Sequence, residues 1–286
     1  MSKIAIIATS TSCLDYLDLN HENLRVLRMK INMKDESYED FIDMTAEEFY
    51  RRLREDTSLV PSSSMPSPGE YLDFLTELEG LGYDTVLTIT ISSELSGTYN
   101  VIKSAESMYE GKMKLHTLDS RNGALAEGYL SLEALRLVKE GKELDEIVKF
   151  LEKLRINRKQ YFMVDNLRLF VANGRLSGAA GFLGSMLKMK PILEVNNDGK
   201  IVPFKKIRTQ KKALAEMVEI VKGDLEGVKK FIVAYDTSDN QAGIDYVKNE
   251  MEKAYPGYKY IEAPITPVVG CHTGNGTVGI AFFNLD

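Results

Sequence analysis

Hydroxyl-bearing side chains are concentrated in one short stretch, Ser92-Ser93-Glu94-Leu95-Ser96-Gly97-Thr98-Tyr99. The apolar run at 86–91 that precedes it predicts a buried strand, and residues 100–108 carry apolar side chains at helical spacing. Open α/β sheets bind ligands at the carboxyl ends of their strands, and a helix N-terminus there favours a carboxylate or a phosphate. The stretch as a whole therefore predicts an anion site, although any one of its serines is better explained as a helix cap.

Three other residues are candidates for contact with a ligand. His272 lies in the glycine-rich run Gly270–Gly279, which we expect to be a loop whose backbone approaches a ligand closely. Arg175 stands among glycines and serines at a predicted helix start, a setting that suits contact with an anion. Arg208 is a second candidate, and exposure to solvent is the default explanation for both arginines. Cys271, next to His272, is expected to be a small apolar filler.

The sequence lacks the motifs of a serine-hydrolase nucleophile, a nucleotide-binding loop, a disulfide framework and a zinc site. The serines are not enclosed by G-x-S-x-G, and the chain has neither a Walker A sequence nor a G-x-G-x-x-G that opens a helix. Cys13 and Cys271 supply no disulfide framework and no zinc-ligand spacing, so we expect no metal and no cofactor. A free-standing hydrolase or acyl transferase that uses Ser93 and His272 remains an alternative.

Charge and hydropathy argue against nucleic acid and the membrane as partners and favour a cytoplasmic location. The 286 residues carry a net charge of -6 without a compensating basic run, which argues against nucleic acid as a partner. The apolar stretches are too short for stable insertion in a membrane, and the first residues are too short for a secretion signal. We expect a cytoplasmic protein.

The N-terminal part alternates predicted strands with helices, which indicates a Rossmann-like, doubly wound parallel sheet with helices on both faces. Residues 24–42 predict short strands or a hairpin. Thr45 and Pro68 mark the starts of two helices. Between these helices, the proline-rich segment 58–68 is expected to be a loop without regular structure.

The pattern changes near residue 160. Asn196-Asn197-Asp198-Gly199 between two apolar runs predicts a hairpin, and helices alternate with strands to the end of the chain, so this part is expected to be α+β. We therefore expect an α/β protein of two domains, 1–160 and 161–286. Residues 179–187 predict an apolar helix that must be enclosed, either in a plain core or around a ligand.

The order of these motifs resembles that of the DegV family, which includes the fatty-acid-binding (FakB-type) subunits of bacterial fatty acid kinase. The stretches that carry the resemblance are Ser92–Tyr99, Asn173–Gly178 with Leu187–Leu193, Lys206–Thr209 and Gly270–Gly274. The resemblance implies that a long-chain fatty acid is bound in a tunnel between the two domains. A partner ATP-dependent kinase would then phosphorylate its carboxylate, as a step of phospholipid metabolism in a bacterium. The chain itself would not be an enzyme, and a lipid sensor without a kinase partner is a further alternative.

The resemblance also implies roles for individual residues. By position, Ser63 would bind the fatty-acid carboxylate together with Ser92, Ser93 and His272. Arg175 and Arg208 would face the phosphoryl group and the kinase. The tunnel would be lined by Phe182, Met186, Met189 and Ile192.

The chain departs from the family pattern at four positions. Ser63 and Met65 replace a threonine and a glutamine, Ser10 replaces an aspartate, and Asn275 replaces a proline. A serine donates the same hydrogen bond as a threonine, so carboxylate binding is expected to survive the first change.

Overall fold

A computed structural model describes residues 2–19, 21–176 and 189–286. The strands, numbered in chain order, are β1 (Ile4–Thr9), β2 (Leu24–Leu27), β3 (Lys30–Met33), β4 (Glu36–Glu39), β5 (Ser62–Ser64), β6 (Thr85–Thr90), β7 (Lys114–Asp119), β8 (Arg158–Met163), β9 (Ile192–Val195), β10 (Ile201–Lys205), β11 (Phe231–Thr237), β12 (Lys259–Pro264) and β13 (Val278–Asn284). The helices of the described residues are α1 (Ala46–Glu55), α2 (Pro68–Gly80), α3 (Thr98–Met108), α4 (Leu125–Lys139), α5 (Leu144–Ile156), α6 (Arg168–Ala172), α7 (Gln210–Asp224), α8 (Gln241–Ala254) and α9 (Pro267–Thr273).

The described strands form three sheets. The first is parallel throughout, in the order β2-β1-β6-β7. The second has the order β10-β9-β8-β13-β11-β12, and its neighbours are antiparallel except for β11 and β12. The third is a small antiparallel sheet, β4-β3-β5. The predicted α/β class, with a parallel N-terminal sheet, is confirmed.

Helices cover both faces of the parallel sheet. Tyr71 and Leu75 of α2 and Ile102 of α3 pack on the face that carries Ile7 and Val86. The opposite face packs against α4 and α5. Alternate residues of a strand point to opposite faces, so β1 and β6 contribute apolar side chains to both cores and read as continuous apolar runs.

Helix α4 is shared by the two large sheets. Its residues lie in one apolar cluster with Ile6 and Leu87 of the first sheet and Ala281 and Phe283 of the second. The ring of Tyr129 packs 4.6 Å, centroid to centroid, from that of Phe283. Helices α7 and α8 cover the remaining face of the second sheet. The described chain is therefore layered as helices, sheet, helices, sheet, helices.

The small third sheet packs with α1 and α9 into a separate core that includes Ile31, Phe49, Val268 and Cys271. This core brings α9, from the C-terminal part of the chain, against elements of the N-terminal part. Cys271 is fully buried there and is an apolar filler, as expected. All strands of the first large sheet end by Asp119 and all strands of the second begin at or after Arg158, and the domain boundary at residue 160 stays a prediction.

Local signals explain most element boundaries. Ser67 caps α2: its Oγ accepts from the Glu70 backbone N–H at 3.2 Å, and the Glu70 carboxylate accepts from the Ser67 N–H at 2.6 Å. The predicted hairpin of β9 and β10 and the short strands within 24–42 are both present.

Two predictions of local structure are wrong. The segment 58–68 contains β5, because Ser62–Ser64 has no proline and pairs with β3 as an edge strand between Pro61 and Pro66. His272 lies in helix α9 and not in a loop. Thr266 followed by Pro267 is a helix-start signal, and Gly274, with φ +70°, ends the helix, so the sequence did carry the information.

Three carboxyl groups are buried close to the contact between the two large sheets. Glu127 of α4 accepts hydrogen bonds from Thr9 Oγ1 at 2.5 Å and Thr11 Oγ1 at 2.8 Å. Asp40 accepts from Thr266 Oγ1 at 2.7 Å. Burial raises the pKa of Glu127 to about 8 and the pKa values of Asp40 and Asp236 to about 7, against the hydrogen bonds that lower them.

These shifts predict that the contribution of the three buried carboxyls to the free energy of unfolding decreases as the pH rises. The folded protein retains protons that the unfolded chain releases above its ordinary carboxyl pKa, so for Glu127 this contribution is fully present below about pH 4.5 and is lost towards pH 8. We expect Glu127→Gln to reduce the fall in stability between pH 5 and pH 8.5 by ~3 kcal/mol. Urea unfolding at both pH values measures this.

The exposed Glu47→Gln variant is the matched control and should behave like the wild type. An identical fall in wild type and Glu127→Gln would contradict the assignment.

Candidate functional site

A cavity of about 510 Å³ lies between the two large sheets, beyond the N-terminus of α4. Gly123 and Ala124, which immediately precede α4, form part of its wall. Thr11 and Ile91, just after the carboxyl ends of β1 and β6, form another part. β1 lies between β2 and β6, so the strand order reverses at β1, where doubly wound sheets open a crevice.

Most of the cavity wall is apolar. The side chains that contribute to this apolar wall include Leu95, Phe162, Phe170, Val195, Ile201 and Val268. Such a surface suits a hydrocarbon, because apolar groups leave water at no cost in hydrogen bonds.

Ser63 and His272 meet at the cavity. Ser63 Oγ lies 2.9 Å from His272 Nε2, and both residues line the wall. β5 holds Ser63 in register with Ile31, and α9 carries His272 in its last turn. Gly270 allows α9 to approach α1 closely, because a Cβ there would lie 2.6 Å from Tyr50 Oη and 2.7 Å from Phe49 Cε1.

The imidazole of His272 is neutral at physiological pH. Burial, and after it the positive charge of Arg175, lowers its pKa to about 4. Its Nδ1 has no hydrogen-bond partner within the described ranges. When Nε2 carries the proton and donates to Ser63 Oγ, the serine hydroxyl hydrogen is free to donate to an acceptor in the cavity. The pair can therefore bind an anion such as a carboxylate.

Arg175 lies at the solvent-exposed rim of the same cavity. Its guanidinium donates to the Asn173 carbonyl oxygen. The Asn173 amide in turn donates to the carbonyl oxygens of Pro61 at 3.1 Å and Cys271 at 2.9 Å. These contacts tie the position of Arg175 to the segments that carry Ser63 and His272, so the three residues predicted from separate stretches lie together.

Met65 lies at the same rim, with 46% of its surface exposed. Its Sδ is 2.8 Å from the position that a Cβ on Gly97 would occupy. The absence of a side chain at Gly97 thus leaves room for the Met65 side chain beside it.

Ser92 and Ser93 donate hydrogen bonds to other residues of the protein. Ser92 Oγ donates to the Gly199 carbonyl oxygen at 2.9 Å. Ser93 donates twice to Asp119, from Oγ to Oδ2 at 2.7 Å and from its N–H to Oδ1 at 3.2 Å. The anion that this turn binds in the structure is the Asp119 carboxylate. Contact of these two serines with a ligand carboxylate stays a prediction, one that the observed bonds do not favour.

The remaining predicted positions lie elsewhere. Arg208 is exposed in the bend between β10 and α7. Phe182 and Met186 lie outside the described residues, and Met189 is half-buried just before β9. Ile192 is fully buried among Met163, Met217 and the other residues of the core under α7 and α8. That core is on the sheet face opposite to the cavity, so the prediction that Ile192 lines the tunnel is corrected.

Strand alternation in β8 separates the residues that line the cavity from those that do not. In β8, Gln160 and Phe162 share one face and line the cavity, whereas Tyr161 and Met163 face α7 and α8. Which face meets the ligand depends on the packing of α4, which local periodicity does not reveal.

Over the part of the chain that the structure describes, no helix is long and apolar enough to cross a bilayer. The same residues contain no group of three histidine, cysteine, aspartate or glutamate side chains that could hold a metal ion.

Comparison with known proteins assigns the family. The family described as "Uncharacterised protein, DegV family" matches residues 3–285. The chain belongs to the DegV family. A DegV domain-containing protein of Listeria monocytogenes is 33% identical over 285 residues, which cover 98% of each chain.

Solved structures of the DegV family have the same fold. The crystal structure of DegV from Bacillus subtilis, described as a fatty acid binding protein, matches with a TM-score of 0.89 and 31% identity over 99% of this chain and 100% of that one. A fatty acid binding DegV family protein from Streptococcus agalactiae matches with a TM-score of 0.91 and 28% identity over 100% of both chains.

The charge state of His272 is directly testable. We expect its imidazole to stay neutral from pH 8 to pH 5, with a titration midpoint near 4 in the NMR spectrum. Arg175→Gln should raise the midpoint, because it removes a positive charge, while burial keeps it below the ordinary value of 6.5. Arg208→Gln is the control and should leave the midpoint unchanged. A wild-type midpoint near 6.5 would contradict the burial of this ring.

Proposed function

We propose that this protein binds a long-chain fatty acid in the cavity between its two large sheets. The acyl chain lies along the apolar wall, and the carboxylate accepts a hydrogen bond from the Ser63 hydroxyl, which the N–H of His272 orients. The observation that carries this proposal is the Ser63–His272 pair, 2.9 Å apart, at the edge of an apolar cavity of about 510 Å³. The fatty acid binding described for the Bacillus subtilis and Streptococcus agalactiae relatives supports it.

The two ends of the fatty acid contribute differently to its binding free energy. Each buried methylene contributes roughly 0.8 kcal/mol, so a chain of about sixteen carbons offers on the order of 12 kcal/mol before the costs of association. The acyl chain therefore dominates affinity, and the hydroxyl–imidazole pair fixes the position of the head group.

Presentation of the carboxylate to a separate ATP-dependent kinase is the second part of the proposal. A carboxylate oxygen attacks the γ-phosphorus of ATP in line, the bond to the bridging oxygen of ADP breaks, and an acyl phosphate and ADP result. The rim position of Arg175 supports a role in offsetting the phosphoryl charge, and exposed Arg208 is assigned to the surface that meets the kinase. A cytoplasmic location belongs to the same proposal.

The hydrolase alternative finds less support in the geometry. A Ser-His mechanism needs the nucleophile within hydrogen-bond reach of the base and a third group that orients the base. Ser93 is bonded to Asp119, whereas His272 is bonded to Ser63. His272 Nδ1 also lacks an orienting carboxylate among the residues with described coordinates.

Fatty acid binding is tested by mass spectrometry of organic extracts from protein purified without added lipid, followed by titration of the delipidated protein with palmitic acid. We expect a bound fatty acid, and about a tenfold or greater loss of affinity in Ser63→Ala, because a hydrogen bond to a charged group is lost. Ser62→Ala, an exposed serine of the same strand, is the matched control. An empty extract together with no binding of palmitic acid would refute the proposal.

The kinase step is tested with an ATP-dependent fatty acid kinase of the same organism. Arg175→Ala and Arg208→Ala should keep the bound lipid while formation of acyl phosphate falls at least tenfold. Arg136→Ala, on α4 and paired with Glu133 and Glu140, is the control. Unchanged turnover with both the Arg175→Ala and the Arg208→Ala variants would show that neither arginine acts in the phosphoryl-transfer step.

A further inference from the structure

The cavity has a polar inner wall in addition to its polar rim. Thr11, Gln160, Asp236 and Thr277 all line it, and each is at most 6% exposed. At the rim, by contrast, Met65 is 46% exposed and Arg175 is open to solvent. This difference in exposure puts the four polar residues at the interior of the cavity, away from solvent.

Two of these residues converge on the start of α4 from one face of the second sheet. Gln160 Nε2 donates to the Gly123 carbonyl oxygen at 3.0 Å. The Asp236 carboxyl lies near the Leu125 backbone N–H, which lowers its pKa against the effect of burial. The carboxyl lies over Gly279, where a Cβ would be 2.2 Å from Asp236 Oδ1, so glycine at 279 makes room for it.

Hydrogen bonding at this inner wall is incomplete. Gln160 Oε1 has no partner within the described ranges, and neither does Thr273 Oγ1 on the same cavity. Exchanging the amide oxygen and nitrogen of Gln160 does not remove the deficit, because one amide atom stays without a partner in either orientation. A buried polar atom without a partner is costly, and native proteins rarely keep one.

Asp236 can serve as a donor as well as an acceptor. Burial raises its pKa to about 7, so a substantial fraction of the carboxyl groups carry a proton at neutral pH. A protonated carboxyl has one O–H donor and remaining acceptor capacity. The side-chain oxygen of Gln160 and the carboxyl of Asp236 together suit a group that both donates and accepts, which describes an alcohol.

We propose that the inner wall is a second polar subsite, for a hydroxyl group carried on the acyl chain, so that the cavity takes hydroxylated fatty acids as well as plain ones. The hydroxyl donates to Gln160 Oε1 and accepts from the Asp236 carboxyl while the head group stays at the rim. This inference rests on the proposed function and specifies the class of fatty acid.

The test compares stearic acid with 3-, 10-, 12- and 18-hydroxystearic acid, each titrated into the delipidated full-length protein. We expect at least one hydroxylated isomer to bind about tenfold more tightly than stearic acid, since one buried hydrogen bond is gained and one unpaired atom is satisfied. The preferred position also measures how far the subsite lies from the head group.

Two variants make the test specific. We define the ratio as the dissociation constant of stearic acid divided by that of the tightest-binding hydroxylated isomer. In Gln160→Met, and independently in Asp236→Leu, this ratio should fall from about ten to about one. Ser63→Ala should weaken all five ligands by a common factor and keep the ratio. If one inner-wall variant fails to fold, the other still gives the ratio.

The outcomes separate the two proposals. If stearic acid binds to the wild type and no hydroxylated isomer binds more tightly, water satisfies the inner wall and this inference is overturned while the proposed function stands. If no fatty acid binds, both fail. A preference that survives in both inner-wall variants also overturns the inference.

Discussion

The position of α4 between the two large sheets is the constraint on which the site depends. A helix packed on both sheets holds them one helix layer apart, and Ile6, Leu87, Ala281 and Phe283 share its apolar cluster. The layer stops where α4 begins at Leu125, and the residues just before it, Gly123 and Ala124, line the cavity. The space left beyond that N-terminus is the cavity, so the same packing that stabilises the fold also creates the space for a ligand.

The charged and polar groups inside the cavity and at its rim determine the orientation in which a fatty acid binds. The interior holds the Asp236 carboxyl, with Glu127 buried behind Thr11, and neither has a basic partner that any described contact shows. A ligand carboxylate placed there would lose its water without gaining a cation, and the same burial already raises the pKa values of Asp236 and Glu127. The rim offers a hydroxyl, a neutral imidazole and the guanidinium of Arg175 instead. The head group therefore belongs at the rim and the hydrocarbon belongs inside.

The sequence revealed the fold class and part of the site. Apolar runs and turn signals located most strands, and three dispersed motifs named Ser63, His272 and Arg175, which the structure brings to one cavity. It did not reveal that Asp119 uses the donors of Ser93, because that contact joins the ends of neighbouring strands. It also did not reveal that Ile192 faces away from the cavity, because the choice of sheet face depends on tertiary packing. By contrast, the position of His272 in a helix could have been predicted from the helix-start signal Thr266–Pro267 and the helix-ending Gly274.

A crystal structure of the protein saturated with palmitic acid tests the central claim most directly. The account predicts continuous density for an alkyl chain along the wall that Phe162 and Phe170 help to form, with a carboxylate oxygen within about 3 Å of Ser63 Oγ. A carboxylate located at the inner wall, or a ligand bound elsewhere with this cavity empty, would contradict it.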